Sequence, residues 1–285
     1  MAKRTIIDPI TRIEGHLRVE VEVEGGKVKE ALSSGTLFRG FEIILKGRDP
    51  RDAGLFTQRI CGVCTHVHYD ASVHAVENAI KIIPPKNARI VRNLIKSAQY
   101  IMDHIVHFYI LHGLDWVDIT KVLHADPKKA EDLAFSVGST YNAGRARFTE
   151  VKKKVENLVK SGQLGPFANG YWGHSAYKVP PEAVLLIVSH YLDALEVQRY
   201  GGQIMAILGG KEPHTQGLVV GGVTCVKDLL DPKRIGDVLF RFRKLKEFVD
   251  TAYLPDLLLA GQVYKEYGVQ NIGAGHKNYL SYGDF

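Results

Sequence analysis

The sequence predicts an α+β protein that is mostly α: a long-helix bundle beside a small N-terminal antiparallel β-sheet. Two patterns carry that prediction. From Leu17 to Glu24 apolar and charged residues alternate strictly, Gly25-Gly26 follows, and Lys27–Leu32 continues beyond the turn. A period of two interrupted by paired glycines marks a hairpin with one face exposed. Beyond Pro84-Pro85 the period changes, and Ile90, Leu94, Ile101, Ile105 and Phe108 recur at helical spacing within a run from about Ala88 to His112. Further helical runs are read near Lys128–Ser161, Pro181–Leu208 and Pro232–Tyr253, each entered at or just after an Asp or Pro. Gly162 closes the first of these and Gly209-Gly210 the second. The apolar stretch Ala183–Val188 is too short to span a bilayer and reads as a buried helix segment. Residues 1–60 thus form a β-rich segment leading to a cysteine loop, and residues 61–285 a helical bundle.

Composition narrows the class. A chain of 285 residues can bury a sizeable core, and 45% hydrophobic with 24% charged residues is ordinary for a globular protein. The net charge of +6 is spread along the chain. The densest run, Lys152-Lys153-Lys154, reads as a solvated helix face, and no aromatic-interleaved basic motif speaks for nucleic acid. Three cysteines do not make a disulfide framework. No apolar stretch follows Met1–Thr5 as a secretory signal would require, so the residues alone make the cytoplasm the default compartment.

Chemistry concentrates in Arg59-Ile60-Cys61-Gly62-Val63-Cys64-Thr65-His66-Val67-His68. Two thiolates three residues apart can point at one metal, and Gly62 is expected to allow the tight turn between them. A CxxC has several readings: half a zinc site, a thiol–disulfide pair, part of an iron–sulfur site, or a catalytic metal ligand pair. No second CxxC exists, and Cys225, in an apolar Val-Gly-Gly-Val-Thr context, reads as a small buried side chain. The residues amount to half a site.

Asp8-Pro9-Ile10-Thr11-Arg12-Ile13-Glu14-Gly15-His16, Arg39-Gly40-Phe41-Glu42 and the cysteine loop follow one another in order. Together they resemble the N-terminal signatures of the large, catalytic subunit of nickel–iron hydrogenases of the uptake type. The likeness continues through Asp103–Tyr109, Ala168–His174, Pro213–Gln216 and Val220–Cys225, so it covers essentially the whole chain. It implies reversible oxidation of dihydrogen to protons and electrons at a thiolate-ligated nickel–iron centre with cyanide and carbonyl ligands on iron. It also implies magnesium, an iron–sulfur small subunit as electron partner, and a periplasmic location reached together with that subunit. Members run to about twice this length and end near a second CxxC, so the C-terminal half of the site is expected on further polypeptide.

The resemblance assigns roles. Cys61 becomes a terminal nickel ligand and Cys64 the bridge between nickel and iron, soft sulfur suiting both metals. Glu14 becomes the first proton acceptor, with a structural ion pair to Arg12 or an N-cap-like structural carboxylate as the plainer alternative. Glu42 becomes a magnesium ligand. His68 becomes a hydrogen-bond partner of the bridging sulfur, whereas His66 is expected to be structural or exposed. Arg59 could compensate thiolate or cyanide charge, with a structural pairing standing equally beside that role. Asp103, His104 and His107 share a helix, with Asp103 and His107 one turn apart, and are expected to form a hydrogen-bond network under the site. Two alternatives stand beside catalysis: a non-catalytic metal-binding or assembly module, and a relative of the respiratory complex I subunit that shares this fold but lacks the cysteines.

Overall fold

The computed structural model describes residues 3–168, 177–225, 230–270, 278–280 and 285; the Asn169–His174 stretch of the resemblance lies outside them. Strands β1 (Lys3–Ile7), β2 (Leu17–Glu24) and β3 (Lys27–Gly35) form an antiparallel sheet in that order. The glycine turn is real: Gly25 and Gly26 have φ of 60° and 74°, a region L side chains avoid. Two expectations change here. The segment before the hairpin is itself a strand, pairing Lys3 with Val23 through Ile7 with Val19. The alternation buries no face of β3, where Val28 is 62% and Leu32 45% exposed. No described element covers that side of the sheet.

Short helices α1 (Phe41–Leu45) and α2 (Ala53–Thr57) lead into the cysteine loop, and α3 (Val67–Ile80) leaves it. Helix α4 (Lys86–Ile105) runs directly into a π-helical turn, Val106–Leu111, and the short α5 (Gly113–Trp116). The single run expected at 128–161 is two helices, α6 (Pro127–Ser136) and α7 (Arg145–Ser161). Gly138, with φ of 74°, lies between them, and Thr140 and Tyr141 give their N–H groups to Thr251 O at 2.8 and 3.1 Å, so tertiary bonds hold the break.

Helix α8 (Pro181–Gly209) is the axis of the bundle. Ala183 to His190 are all buried, because α4, α6 and α7 surround it together with α9 (Pro232–Phe248). Burial on every side explains a run with no polar face. The α4–α8 crossing is tight: a Cβ at Gly201 would stand 2.8 Å from Met102 Cβ and 3.1 Å from Ala98 O. Asp126 and Asp231 cap α6 and α9, each followed by Pro at the first helical position. The run expected to stop at Tyr253 continues: a second π turn, Val249–Tyr253, leads into α10 (Leu254–Val269), because Pro255 falls where a helix start tolerates it. Strands β4 (Leu218–Val219) and β5 (Gly222–Val223) make a small second hairpin against α3 and α4. No helix among the described residues is long and apolar enough to cross a membrane.

Candidate metal centre

The cysteine loop is wedged between α2 and α3. Tyr69 of α3 packs over Gly54 of α2 so closely that a Cβ there would lie 2.2 Å from its ring, and its hydroxyl donates to Leu218 O at 2.8 Å. That wedge delivers Cys61 in extended conformation after a 3₁₀ turn, Gln58–Ile60. Cys64 N–H donates to Cys61 Sγ at 3.0 Å, and the two sulfurs stand in pairing contact, with Cα atoms 5.5 Å apart. A histidine nitrogen of His68 joins them, the ligand atoms of the three residues lying within 4.8 Å of one another. This is the one such group among the described residues. Gly62 is not what makes the turn: its φ is not left-handed and a Cβ there would meet nothing within 4 Å.

Glu14 arrives from the N-terminal segment, its Oε1 3.9 Å from Cys61 Sγ. The alternative pairing with Arg12 is not made. Arg12, at φ 56°, instead gives Nε to Asp115 Oδ1 at 3.0 Å, and Asp115 also bonds His112 Nδ1 at 3.1 Å. Arg12 thereby anchors the segment that carries Glu14 to the bundle.

The remaining assignments divide. His68 has its pKa lowered by burial and then by the Arg39 guanidinium, which favours a neutral ring able to bond a sulfur or a metal. His66 is structural: fully buried, with its N–H donating to Gln99 Oε1 at 2.8 Å and Nδ1 2.9 Å from Thr215 Oγ1. Arg59 is exposed beside His214, whose pKa is lowered by burial and then by Arg59 and Lys211. Glu42 is exposed in the first turn of α1, and no described His, Cys or carboxylate joins it in a ligand group. Cys225 is 7% exposed and belongs to the bundle core, as expected of a small buried side chain.

The expected Asp103–His104–His107 network is not there. Asp103 accepts from Gln99 Nε2 at 3.2 Å, His104 is exposed against Tyr100 O, and the His107 ring lies 4.4 Å from that of His112. The π turn beginning at Val106 changes the angle per residue, so His107 leaves the face that Asp103 occupies.

The sequence did not single out two residues that hold the loop. Arg39 donates Nη1 to Arg59 O at 2.8 Å and Nη2 to Ile60 O, gripping the two carbonyls before Cys61. Gln99, buried on α4, reaches Val63 O and His66 N on either side of Cys64. Arg39 lay in a recognised motif but carried no role; Gln99 had no signal beyond being polar in a helix.

Comparison with known proteins identifies the family. A family model described as nickel-dependent hydrogenase matches residues 39–285, and one described as HoxL-like matches residues 4–34. The chain belongs to the nickel-dependent hydrogenase family. It is 54% identical over 284 residues to the quinone-reactive Ni/Fe-hydrogenase large chain of Wolinella succinogenes, covering 99% of this chain and 49% of that one. It is 49% identical to the hydrogenase-2 large chain of Escherichia coli, covering 100% of this chain and 51% of that one. The Ni-Fe-Se hydrogenase of D. vulgaris Hildenborough superposes with a TM-score of 0.69 at 35% identity, covering 93% of this chain and 46% of that one. The chain thus spans about half the length of the relatives it matches. Two converging soft sulfurs with an imidazole beside them fit the nickel and iron of this hydrogenase family, and do not fit a hard, oxygen-seeking cation.

Proposed function

We propose that this chain forms the N-terminal half of a nickel–iron hydrogenase catalytic subunit, and that the assembly containing it catalyses reversible oxidation of dihydrogen to protons and electrons. The observation that carries the reading is the contact between a carboxylate and a cysteine sulfur, Glu14 Oε1 to Cys61 Sγ at 3.9 Å, in a site where Cys61, Cys64 and His68 converge. Cys61 and Cys64 would hold the nickel–iron centre as thiolates. Such a centre, with cyanide and carbonyl on iron as the family likeness implies, would supply the chemistry of heterolytic dihydrogen cleavage there. The chain's own part is to move the proton. Cys61 Sγ can pass it to Glu14 Oε1, and Glu14, exposed on its outer side, can release it. Arg39 and Arg59 bring positive charge to a loop carrying two thiolates.

Electrons need a route that three cysteines cannot build, so an iron–sulfur small subunit is the proposed partner. Leu37, Phe38, Ile43 and Val63, 43–74% exposed near the cysteines, support an apolar docking face there. Two further thiolates are needed, from a polypeptide carrying the second CxxC. Glu42 supplies at most one magnesium ligand and would need oxygens from that same polypeptide. The uptake-type likeness supports export with the small subunit to the periplasm.

The test is elemental analysis of the complete assembly together with dihydrogen-driven reduction of a viologen dye. Stoichiometric nickel with dye reduction is expected. Absence of nickel from an assembly containing every partner would remove the enzyme reading in favour of an assembly or structural role.

A further inference from the structure

We infer that Gln99 is a positioning residue whose side-chain amide spans the loop across Cys64 and ties that loop to the Asp103 carboxylate. The consequence at the metal rests on the hydrogenase reading; the clamp itself does not. Gln99 is 2% exposed, and its orientation is decided by its partners. The His66 N–H can only donate, so the atom 2.8 Å from it is Oε1. Nε2 therefore carries both hydrogens, directed at Val63 O at 3.3 Å and Asp103 Oδ2 at 3.2 Å. One planar group thus fixes the residue before Cys64 and the second residue after it.

The other anchors act at the ends of the loop. Arg39 holds the Arg59 and Ile60 carbonyls, and Thr57 Oγ1 donates to His68 O at 3.2 Å. Among the described residues, Gln99 is the side chain that bonds both flanks of Cys64, so any rotation of that segment breaks both arms together. Asp103 completes the arrangement. It sits one turn along α4, and its Oδ1 is buried without a hydrogen-bond partner among the described residues, so its hold on a neighbour is through Nε2. A carboxylate acceptor strengthens that bond and draws the amide toward the orientation the loop needs.

Gln99→Leu removes both arms at similar volume. Gln99→Glu keeps the shape but turns an acceptor toward Val63 O and Asp103. Combining Gln99→Glu with Asp103→Asn exchanges acid and amide, restoring a donor opposite an acceptor. The assembled protein, grown without nickel, is read by hydrogen exchange at the His66 amide and by the ratio of Cys64 to Cys61 alkylation. Gln99→Leu should speed His66 exchange roughly tenfold, the factor one lost buried hydrogen bond carries, and change the alkylation ratio, whereas Gln99→Glu still accepts the His66 N–H but repels Val63 O and Asp103 and should change the alkylation ratio alone. The double variant should return the alkylation ratio toward that of wild type, which a general loss of packing would not do. In the nickel-loaded assembly, Gln99→Leu should retain metal but alter the g-values of the nickel paramagnetic resonance spectrum. Wild-type exchange and alkylation in both single variants would overturn the clamp. An assembly without nickel would instead end the hydrogenase reading and leave the exchange data to decide Gln99.

Discussion

Asp256, at the start of α10, accepts from Tyr109, Ser139 and His190 at 2.7–2.8 Å, whereas Asp103, behind the cysteine loop, accepts from Gln99 and leaves its other oxygen buried without a partner among the described residues. The first carboxylate belongs to a finished network. His190 faces Asp256 with Nδ1 and the Tyr141 carbonyl with Nε2, both at 2.7 Å, so both ring nitrogens must carry protons. Burial is the largest single influence and pushes its pKa down, but the charge and hydrogen bond of Asp256, the Tyr141 carbonyl and Asp193 together outweigh it, and the net shift is upward. Ser, His and Asp meet here without nucleophilic chemistry: the Ser139 hydroxyl donates to the aspartate rather than the histidine, and all three are fully buried. Around Asp103, by contrast, Glu212 Oε2 and His214 Nδ1 also lack partners among the described residues. Around Asp256 the carboxylate itself is fully used in holding helices together, although Ser189 Oγ and Asp193 Oδ2 close to His190 also lack partners among the described residues; around Asp103 the carboxylate itself is half uncommitted.

If that contrast holds, substitutions in the two regions should separate stability from function. The largest effect belongs to the proposed metal ligands. Cys61→Ser replaces a soft thiolate by a poor ligand and should leave the assembled protein without nickel, measured by elemental analysis, while the unfolding midpoint of the metal-free form stays put. Nickel at wild-type stoichiometry in that variant would show that Cys61 is not a ligand.

Asp256→Ala should do the reverse. It leaves the His190 cation buried without its counter-charge and two hydroxyls without an acceptor, a loss of about 3–5 kcal/mol. Denaturant unfolding checks this, and nickel content in whatever folds should match wild type. A cost below about 1 kcal/mol would mean that the network is ornamental and the comparison wrong.

Glu14→Gln sharpens the functional side. The amide keeps the shape but cannot accept and return a proton, so turnover and proton–deuterium exchange with solvent should fall by about 10²–10⁴-fold. Metal content and stability should be unchanged, and ortho–para interconversion of dihydrogen, which exports no proton, should survive better. Near wild-type turnover would move the proton route elsewhere, with His68 the next candidate.

Local patterns made much of this readable in the sequence. The Gly25-Gly26 hairpin, the buried run at Ala183–Val188 and the paired cysteines each depend on neighbours a few residues away. What stayed hidden depends on contacts between distant segments. Gln99 reaches partners 33 and 36 positions back, and the break between α6 and α7 is held by Thr251. The π turn at Val106 separated Asp103 from His107, because a helical wheel assumes a constant angle per residue. The Glu14–Cys61 approach was expected from the resemblance alone; no local spacing could have put residues 14 and 61 side by side.

The smallest effect tests the uncommitted acids directly. Burial raises the Asp103 pKa to about 6 against the opposing hydrogen bond from Gln99, and raises that of Glu212 to about 7, with Asp103 adding to the shift. Both folded values lie above the ordinary 3.8 and 4.5, so between about pH 4 and pH 7 the folded chain holds more protons than the unfolded one. Linkage then gives the sign: this contribution to stability is fully present below the unfolded pKa values and is lost as pH rises through the folded ones. His190 follows the same direction, its raised pKa placing its loss above the ordinary 6.5, so its signal begins where that of Asp103 ends. Glu212→Gln removes the titrating group while keeping its size. Relative to wild type, the variant should gain about 1 kcal/mol at pH 8, after allowance for solvent screening, and little or nothing at pH 4. Unfolding midpoints measured at both pH values decide it: an equal shift at each would mean that Glu212 is already paired in solution, and that the region behind the cysteine loop is as fully committed as the core around Asp256.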